Sequence, residues 1–240
     1  MKATAIVLAG GKGTRIASLY PNIPKALIPA AGQPFLYWVT EWLVGEGLRD
    51  IVYSAGHLAD QIERWVAVQS AERGHTVRLR TVTESTPLGT GGGVRGCLDL
   101  CAEWVVVLNG DSLYRASLGP AWRRIAEETL DGALLALPVS DTRRYGSLEM
   151  DESGRLRAFF EKRPGAGLIN AGVCLFRRAL LEPFPAGVIL SMENDVIPTL
   201  IRRGANLGVV VGDGAFLDIG TPQSIVLAEG FVRDLFPDGF

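Results

Sequence analysis

The chain has 240 residues, 48% of them hydrophobic, and a formal net charge of -2. That length and mixture describe an ordinary globular protein, and the near-neutral balance removes any electrostatic case for a nucleic acid or an anionic membrane surface as partner. No apolar run reaches the roughly 20 residues that cross a bilayer.

The first apolar run, Thr4 to Leu8, reads as a strand buried on both faces. It enters Ala9-Gly10-Gly11-Lys12-Gly13 with no cleavage site for export, so the cytoplasm is expected. Phe35, Trp38, Val39, Trp42 and Leu43 keep helical spacing, and Gly45 and Gly47 close that helix. A second strand covers Ile51 to Ala55 and a helix Leu58 to Val68. A third strand, Val77 to Val82, alternates Arg78 and Arg80 with apolar residues, as at a sheet edge. A helix over Val94 to Cys101 precedes the fully apolar strand Trp104 to Leu108. A helix then covers Ala121 to Leu130 and a strand Ala133 to Val139. Beyond residue 140 come short strands near Ser147 to Met150, Leu156 to Phe160 and Ile169 to Phe176, a helix Asp195 to Arg203, and a strand Leu207 to Val211. This alternation predicts an α/β fold with a doubly wound, mostly parallel, Rossmann-like sheet in a single domain. The cysteines, Cys97, Cys101 and Cys174, are odd in number and read as reduced thiols.

The unusual residues fall at strand C-terminal ends, the edge where open α/β sheets bind ligands. Gly10, Gly11 and Gly13 allow close backbone approach to a ligand, and a loop of this kind presents N-H groups to an anion. Lys12 and Arg15 add full positive charge. The stretch LAGGKGTRI fits neither the Walker P-loop nor G-x-G-x-x-G, since Ile16 stands where the last glycine would be. Lys25 sits in PNIPKALIPAAGQPF, where four prolines stiffen the chain, and so reads as a fixed cation aimed at a phosphate. Asp111, just beyond the fourth strand, is a candidate metal ligand or a loop cap. His57 reads as a polar contact at a helix start.

Taken together, LAGGKGTRI and PKALIP resemble the signature of the sugar-1-phosphate nucleotidyltransferases. ESTPLGTGGG (84 to 93), VLNGDSL, FFEKRP, INAGVCLF, SMEND and FLDIGTP are similar to later segments of that family, in its order and over nearly the whole chain. The resemblance implies the nucleotidyltransferase type of sheet, with a nucleotide-binding part over about residues 1-115 and a sugar-phosphate-binding part over about 116-240. It implies in-line attack by a sugar 1-phosphate on the α-phosphorus of a nucleoside triphosphate, with Arg15, Lys25, Asp111 and Asp218 catalytic. Asp111 and Asp218 would bind Mg²⁺, which favours carboxylate and phosphate oxygens. The implied nucleotide site comprises Leu8, Ala9, Gly10, Gly11, Lys12, Gly13, Thr14, Glu84, Pro87, Leu88, Gly89, Thr90, Asn109 and Gly110. The implied sugar-phosphate site comprises Tyr145, Gly146, Glu161, Lys162, Asn170, Gly172, Glu193 and Asp195. Glu193 and Asp195 also read as caps of the helix that starts there.

One carboxylate can accept from both N1-H and N2-H₂ of guanine, so Glu84 favours GTP, although it also reads as a tie that holds its own loop. Gly93 stands where alanine is common in the family. The wording is most similar to the guanylyltransferases acting on D-glycero-D-manno-heptose 1-phosphate, which serve bacterial surface polysaccharide synthesis and are likewise short. A uridylyltransferase of N-acetylmuramic acid 1-phosphate, a mannose 1-phosphate guanylyltransferase and a non-catalytic sugar-nucleotide sensor stay open, as does a homodimer. A glycosyltransferase would ordinarily show Asp-x-Asp, where this chain has Asp111-Ser112-Leu113.

Overall fold

A computed structural model describes residues 1-161 and 163-237. Its central feature is a nine-stranded sheet. Four parallel strands form the first half: β1 (Ala3–Leu8), β4 (Asp50–Ala55), β5 (Arg78–Thr83) and β6 (Trp104–Asn109). They lie in the order β6-β1-β4-β5, so β5 is the edge that its arginine alternation predicts. Registers such as Leu8 with Asn109 and Ala55 with Thr83 bring all four C-terminal ends to one rim.

Two small elements precede the first helix. The strands β2 (Pro29–Ala30) and β3 (Gln33–Pro34) make a tight hairpin, and α1 (Phe35–Gly45) follows. The helices α2 (Ala59–Arg73) and α3 (Gly89–Cys97) complete the crossovers. Helix α3 begins five residues before the predicted Val94, so the glycine run is helical and not a loop.

The second half adds β7 (Ser112–Tyr114), α4 (Gly119–Glu128), β8 (Gly132–Val139), β9 (Gly146–Met150), β10 (Leu156–Glu161) and β11 (Gly167–Arg177). A π-helical turn at Met192–Val196 leads into α5 (Ile197–Arg202), where a single helix from Asp195 is predicted. The strands β12 (Leu207–Val211) and β13 (Phe216–Asp218) and the helix α6 (Pro222–Leu235) follow. Strand β11 is antiparallel to both β6 and β8. Its first residues also pair with β9, and a bulge between Asn170 and Cys174 divides the two regimes.

The core has two parts, one on each face of the sheet. On β1, Ala5 and Val7 join Phe35, Trp38 and Leu43 of α1, while Ile6 turns to Val94 of α3 and Met192 of the π turn. Strand β6 divides the same way, with Val106 and Leu108 on one face and Val105 and Val107 on the other. Side chains alternate along a strand, so a strand covered on both faces is apolar except where a buried hydroxyl finds a partner, as Thr4 does with Asp50 and Ser54 with Glu84. Each large side chain so buried contributes about 1.5–3 kcal/mol. Two helical layers therefore fix the rim that carries the polar loops. No described helix is long and apolar enough to cross a membrane.

Candidate active site

The rim opens into a cleft of about 480 Å³. Its floor and walls come from the ends of β1, β4, β5 and β6, from the glycine loop, and from Lys25, Thr90, Asp111, Glu193 and Asp218. Of the residues the sequence singles out, Leu8, Ala9, Gly10, Gly11, Lys12, Arg15, Glu84, Pro87, Gly89 and Asn109 also line it. Gly13, Thr14, Leu88 and Gly110 are chain neighbours of lining residues and do not line it themselves. Ser54 and Ala26 line the cleft without having been singled out. Ser54 had a visible signal: it is the one serine in the otherwise apolar and aromatic strand Ile51 to Ala55.

The loop glycines do different things. A Cβ on Gly10 would stand 3.0 Å from the backbone nitrogen of Gly56, so Gly10 is there for the close approach of two strand ends. Gly13 has φ +56° and packs on the Cβ of Lys25. A side chain there would be strained and would displace the lysine. Gly11 faces open space. Lys12 and Arg15 are exposed, and neither has an ion pair with any described residue.

Lys25 lies in a 3₁₀ turn closed by the Leu27 N-H donating to Pro24 O. Its side chain is only 14% exposed, and Nζ reaches Asp111 Oδ2 at 2.5 Å and Asp218 Oδ1 at 3.5 Å. The two aspartates meet because β7 and β13 pair antiparallel, with Ser112 opposite Asp218. The Ile219 N-H donates to Asp111 O at 3.0 Å and closes the ladder. A Gly220 N-H on Asp218 Oδ1 orients the second carboxylate. Among the described residues no cluster of three or more His, Cys, Asp or Glu could hold a metal alone. A pair of hard carboxylates beside the cation-bearing glycine loop is nonetheless a donor set that suits Mg²⁺, which prefers oxygen ligands and keeps several waters. The residues present fit that ion.

At the other end of the cleft Glu84 is anchored at both oxygens. The Ser54 hydroxyl donates to Oε1 at 3.1 Å and the Leu88 N-H to Oε2 at 2.9 Å. A carboxylate has about four lone-pair sites, so each oxygen keeps accepting capacity toward the cleft. Gly91 and Gly92 donate their N-H groups to Leu190 O, at 2.7 and 3.2 Å. Their missing Cβ atoms make room for that segment: a Cβ on Gly92 would stand 2.7 Å from Val188 O.

The sugar-phosphate candidates are less tightly gathered. Glu193 lines the cleft and accepts from the Thr90 and Ser191 hydroxyls, at 2.9 and 2.8 Å. Asp195 turns away and accepts from the Ser191 N-H at 2.7 Å. It therefore serves the π turn as a cap, four residues on instead of the usual three because the turn is wider. Asn170 and Gly172 occupy the β11 bulge. Gly172 has φ +73° and lies against the Asn109 amide, where a Cβ would be 3.2 Å away. Glu161 and Gly146 face each other across β10 and β9, and Tyr145 packs edge-on to Phe216. None of these five lines the cleft as it stands. Lys162 lies outside the described residues. The His57 N-H donates to Gly10 O at 3.2 Å, a helix-start contact through the backbone. All three cysteines are buried, and burial pushes their thiols up to about 12.

A cation-rich loop facing two carboxylates across a strand-end cleft is the layout of an enzyme that works on nucleotide phosphates. Residues 4–234 match the nucleotidyl transferase family, and the chain belongs to it: this is a nucleotidyltransferase. The mannose-1-phosphate guanylyltransferase of Mycobacterium tuberculosis is 33% identical over 97% of this chain, which spans only 66% of that protein. The D-glycero-alpha-D-manno-heptose 1-phosphate guanylyltransferase of Aneurinibacillus thermoaerophilus is 30% identical, covering 94% of this chain and 96% of its own. HddC from Yersinia pseudotuberculosis, solved in complex with GMP-PN, superposes with a TM-score of 0.79 at 29% identity, covering 96% of this chain and 99% of that one.

Proposed function

We propose that this enzyme transfers GMP from GTP to a sugar 1-phosphate, with D-glycero-α-D-manno-heptose 1-phosphate the favoured acceptor, releasing pyrophosphate. The observation that carries the reading is Lys25 held between Asp111 and Asp218 at the mouth of the cleft. The guanylyltransferase relatives and the anchored Glu84 support the base, and the heptose-specific relative supports the sugar. Mannose 1-phosphate is the second reading, favoured by the 33% identical relative.

In this reading an oxygen of the sugar phosphate forms a bond to the α-phosphorus, the bond to the β-phosphate oxygen breaks, and pyrophosphate leaves. The attacking phosphate is already ionised near neutral pH, so no general base is required. The work left to the chain is neutralising charge and aligning two anions. Arg15 and Lys12 receive the β- and γ-phosphates at the exposed loop. Lys25 supplies positive charge beside the α-phosphate. Asp111 and Asp218 would hold Mg²⁺, which offsets triphosphate charge and polarises the phosphorus. Glu84 accepts from the guanine edge, and Glu193 from sugar hydroxyls.

Pyrophosphate release tests the reading. GTP, UTP, CTP, ATP and dTTP are each supplied with Mg²⁺ and the heptose, mannose or N-acetylmuramic acid 1-phosphate. Release with GTP and the heptose, lost in Asp111→Ala, is expected. Release only with UTP overturns the base, release only with mannose 1-phosphate overturns the sugar, and none with any pair overturns the activity.

A further inference from the structure

Gly93 is the fifth of the nine residues of α3 and is buried. Glycine in a helix interior is destabilising relative to alanine. A local gain must therefore come from the missing side chain. A Cβ built at this position would stand 2.7 Å from Glu84 Oε1, 2.7 Å from Ser54 Oγ and 3.5 Å from Leu8 Cδ2. All three neighbours line the cleft. The two close ones are tips of side chains that can swing aside, unlike the Leu190 backbone that crowds Gly89 and Gly91. The space beside Gly93 is thus occupied by the Glu84 carboxylate and the hydroxyl that holds it.

We propose that Gly93 is a specificity-determining position, its missing Cβ providing the space that lets Ser54 and the Leu88 N-H hold the Glu84 carboxylate toward a guanine edge. The inference rests on the reading of Glu84 as the group that accepts from guanine N1-H and N2-H₂. Gly93 touches no substrate. It acts through Glu84 and is a positioning residue.

The test uses inosine triphosphate, which keeps N1-H and lacks the N2 amine. The full chain and its Gly93→Ala and Ser54→Ala variants are compared for kcat and KM with GTP and with ITP. In Gly93→Ala the GTP-over-ITP preference in kcat/KM is expected to fall by about tenfold, as for loss of one charge-assisted hydrogen bond. KM for GTP carries the change, while KM for the sugar phosphate stays within about twofold. Tm falls modestly, because the better helix propensity of alanine offsets only part of the cost of moving the Ser54 and Glu84 side chains. Ser54→Ala, which adds no bulk, shifts the preference the same way and keeps the test alive if Gly93→Ala does not fold. A wild-type preference retained in the folded variants overturns the proposal. Glu84→Gln separates the two ideas. If it also keeps the preference, or the wild type shows none, the guanine reading itself fails. If it loses the preference while Gly93→Ala keeps it, only the role of Gly93 fails.

Discussion

Lys25 holds the oxygens that the proposed Mg²⁺ would use, which leads to a quantitative expectation for Lys25→Met. Methionine keeps most of the buried stem and removes the ammonium. In the free enzyme that ammonium makes two ion pairs, at 2.5 and 3.5 Å, with carboxylates 30% and 27% exposed. Exposed pairs contribute about 0.2–1 kcal/mol each. The lysine side chain is only 14% exposed, which places both pairs near the top of that range, about 2 kcal/mol together. A dication on Asp111 and Asp218 must displace these contacts in the wild type and not in the variant. Without nucleotide, Lys25→Met should therefore bind Mn²⁺ about 30-fold more tightly. A titration of free Mn²⁺ by electron paramagnetic resonance reads this directly. Asp218→Asn in the same background should abolish the gain. Turnover should meanwhile fall by about 10²–10³, the scale of losing one preorganised charge from a transition state. Equal Mn²⁺ affinity in wild type and variant would refute the reasoning, because the ion would then use oxygens that the ammonium does not hold.

Three further outcomes are expected. Gly92→Ala should destabilise by about 2 kcal/mol in urea, the cost of overpacking, because its Cβ would meet Val188 O at 2.7 Å and Leu88 Cβ at 2.6 Å. Proteolysis should quicken within residues 187-191. Asp195→Ala should lower stability by about 1 kcal/mol, as for a lost helix cap, with kcat unchanged, whereas Glu193→Gln should raise KM for the sugar phosphate with Tm unchanged. The thiols set an alkaline limit. Their folded values, about 12, lie above the ordinary 9.0, so the folded state keeps protons that the unfolded state sheds. Their contribution is complete below pH 9 and is lost as pH rises through the window to about 12. Cys174→Ala should reduce the slope of stability against pH by about 1.4 kcal/mol per pH unit across that window.

The parallel half of the fold is legible because strands covered on both faces are mainly apolar, as β1, β4 and β6 are apart from Thr4, Asp50, Ser54 and Asn109. Helix α6 is harder to read. Its Val226 and Leu227 are 79% and 63% exposed, while Ala228 and Val232 carry its buried face, so no clean stripe appears. The capping box of Thr221 with Ser224 was its visible signal. The β7 and β13 pairing is three residues long, too short for any period, yet it alone brings Asp111 to Asp218. Sequence marks both aspartates as chemistry and says nothing of their distance. The start of α3 defeats propensity reasoning for a different cause: its glycines are selected by the segment lying on them, and tertiary packing overrides local preference.

That packing also changes how a polyanion would be met in the cleft. Two glycine-rich stretches border the cleft. In the fold three of their N-H groups are committed to backbone oxygens. The Ala9 N-H donates to Ser54 O at 2.8 Å, and the Gly91 and Gly92 N-H groups go to Leu190 O. Gly10 serves the approach to Gly56. The full positive charge open to a polyanion is on the exposed Lys12 and Arg15, with Lys25 held in reserve between its aspartates. Charge on side chains is screened by salt in a way that a sheltered nest of backbone dipoles resists. Nucleotide affinity in this protein should therefore fall with ionic strength, and Lys12→Gln with Arg15→Gln should flatten that dependence.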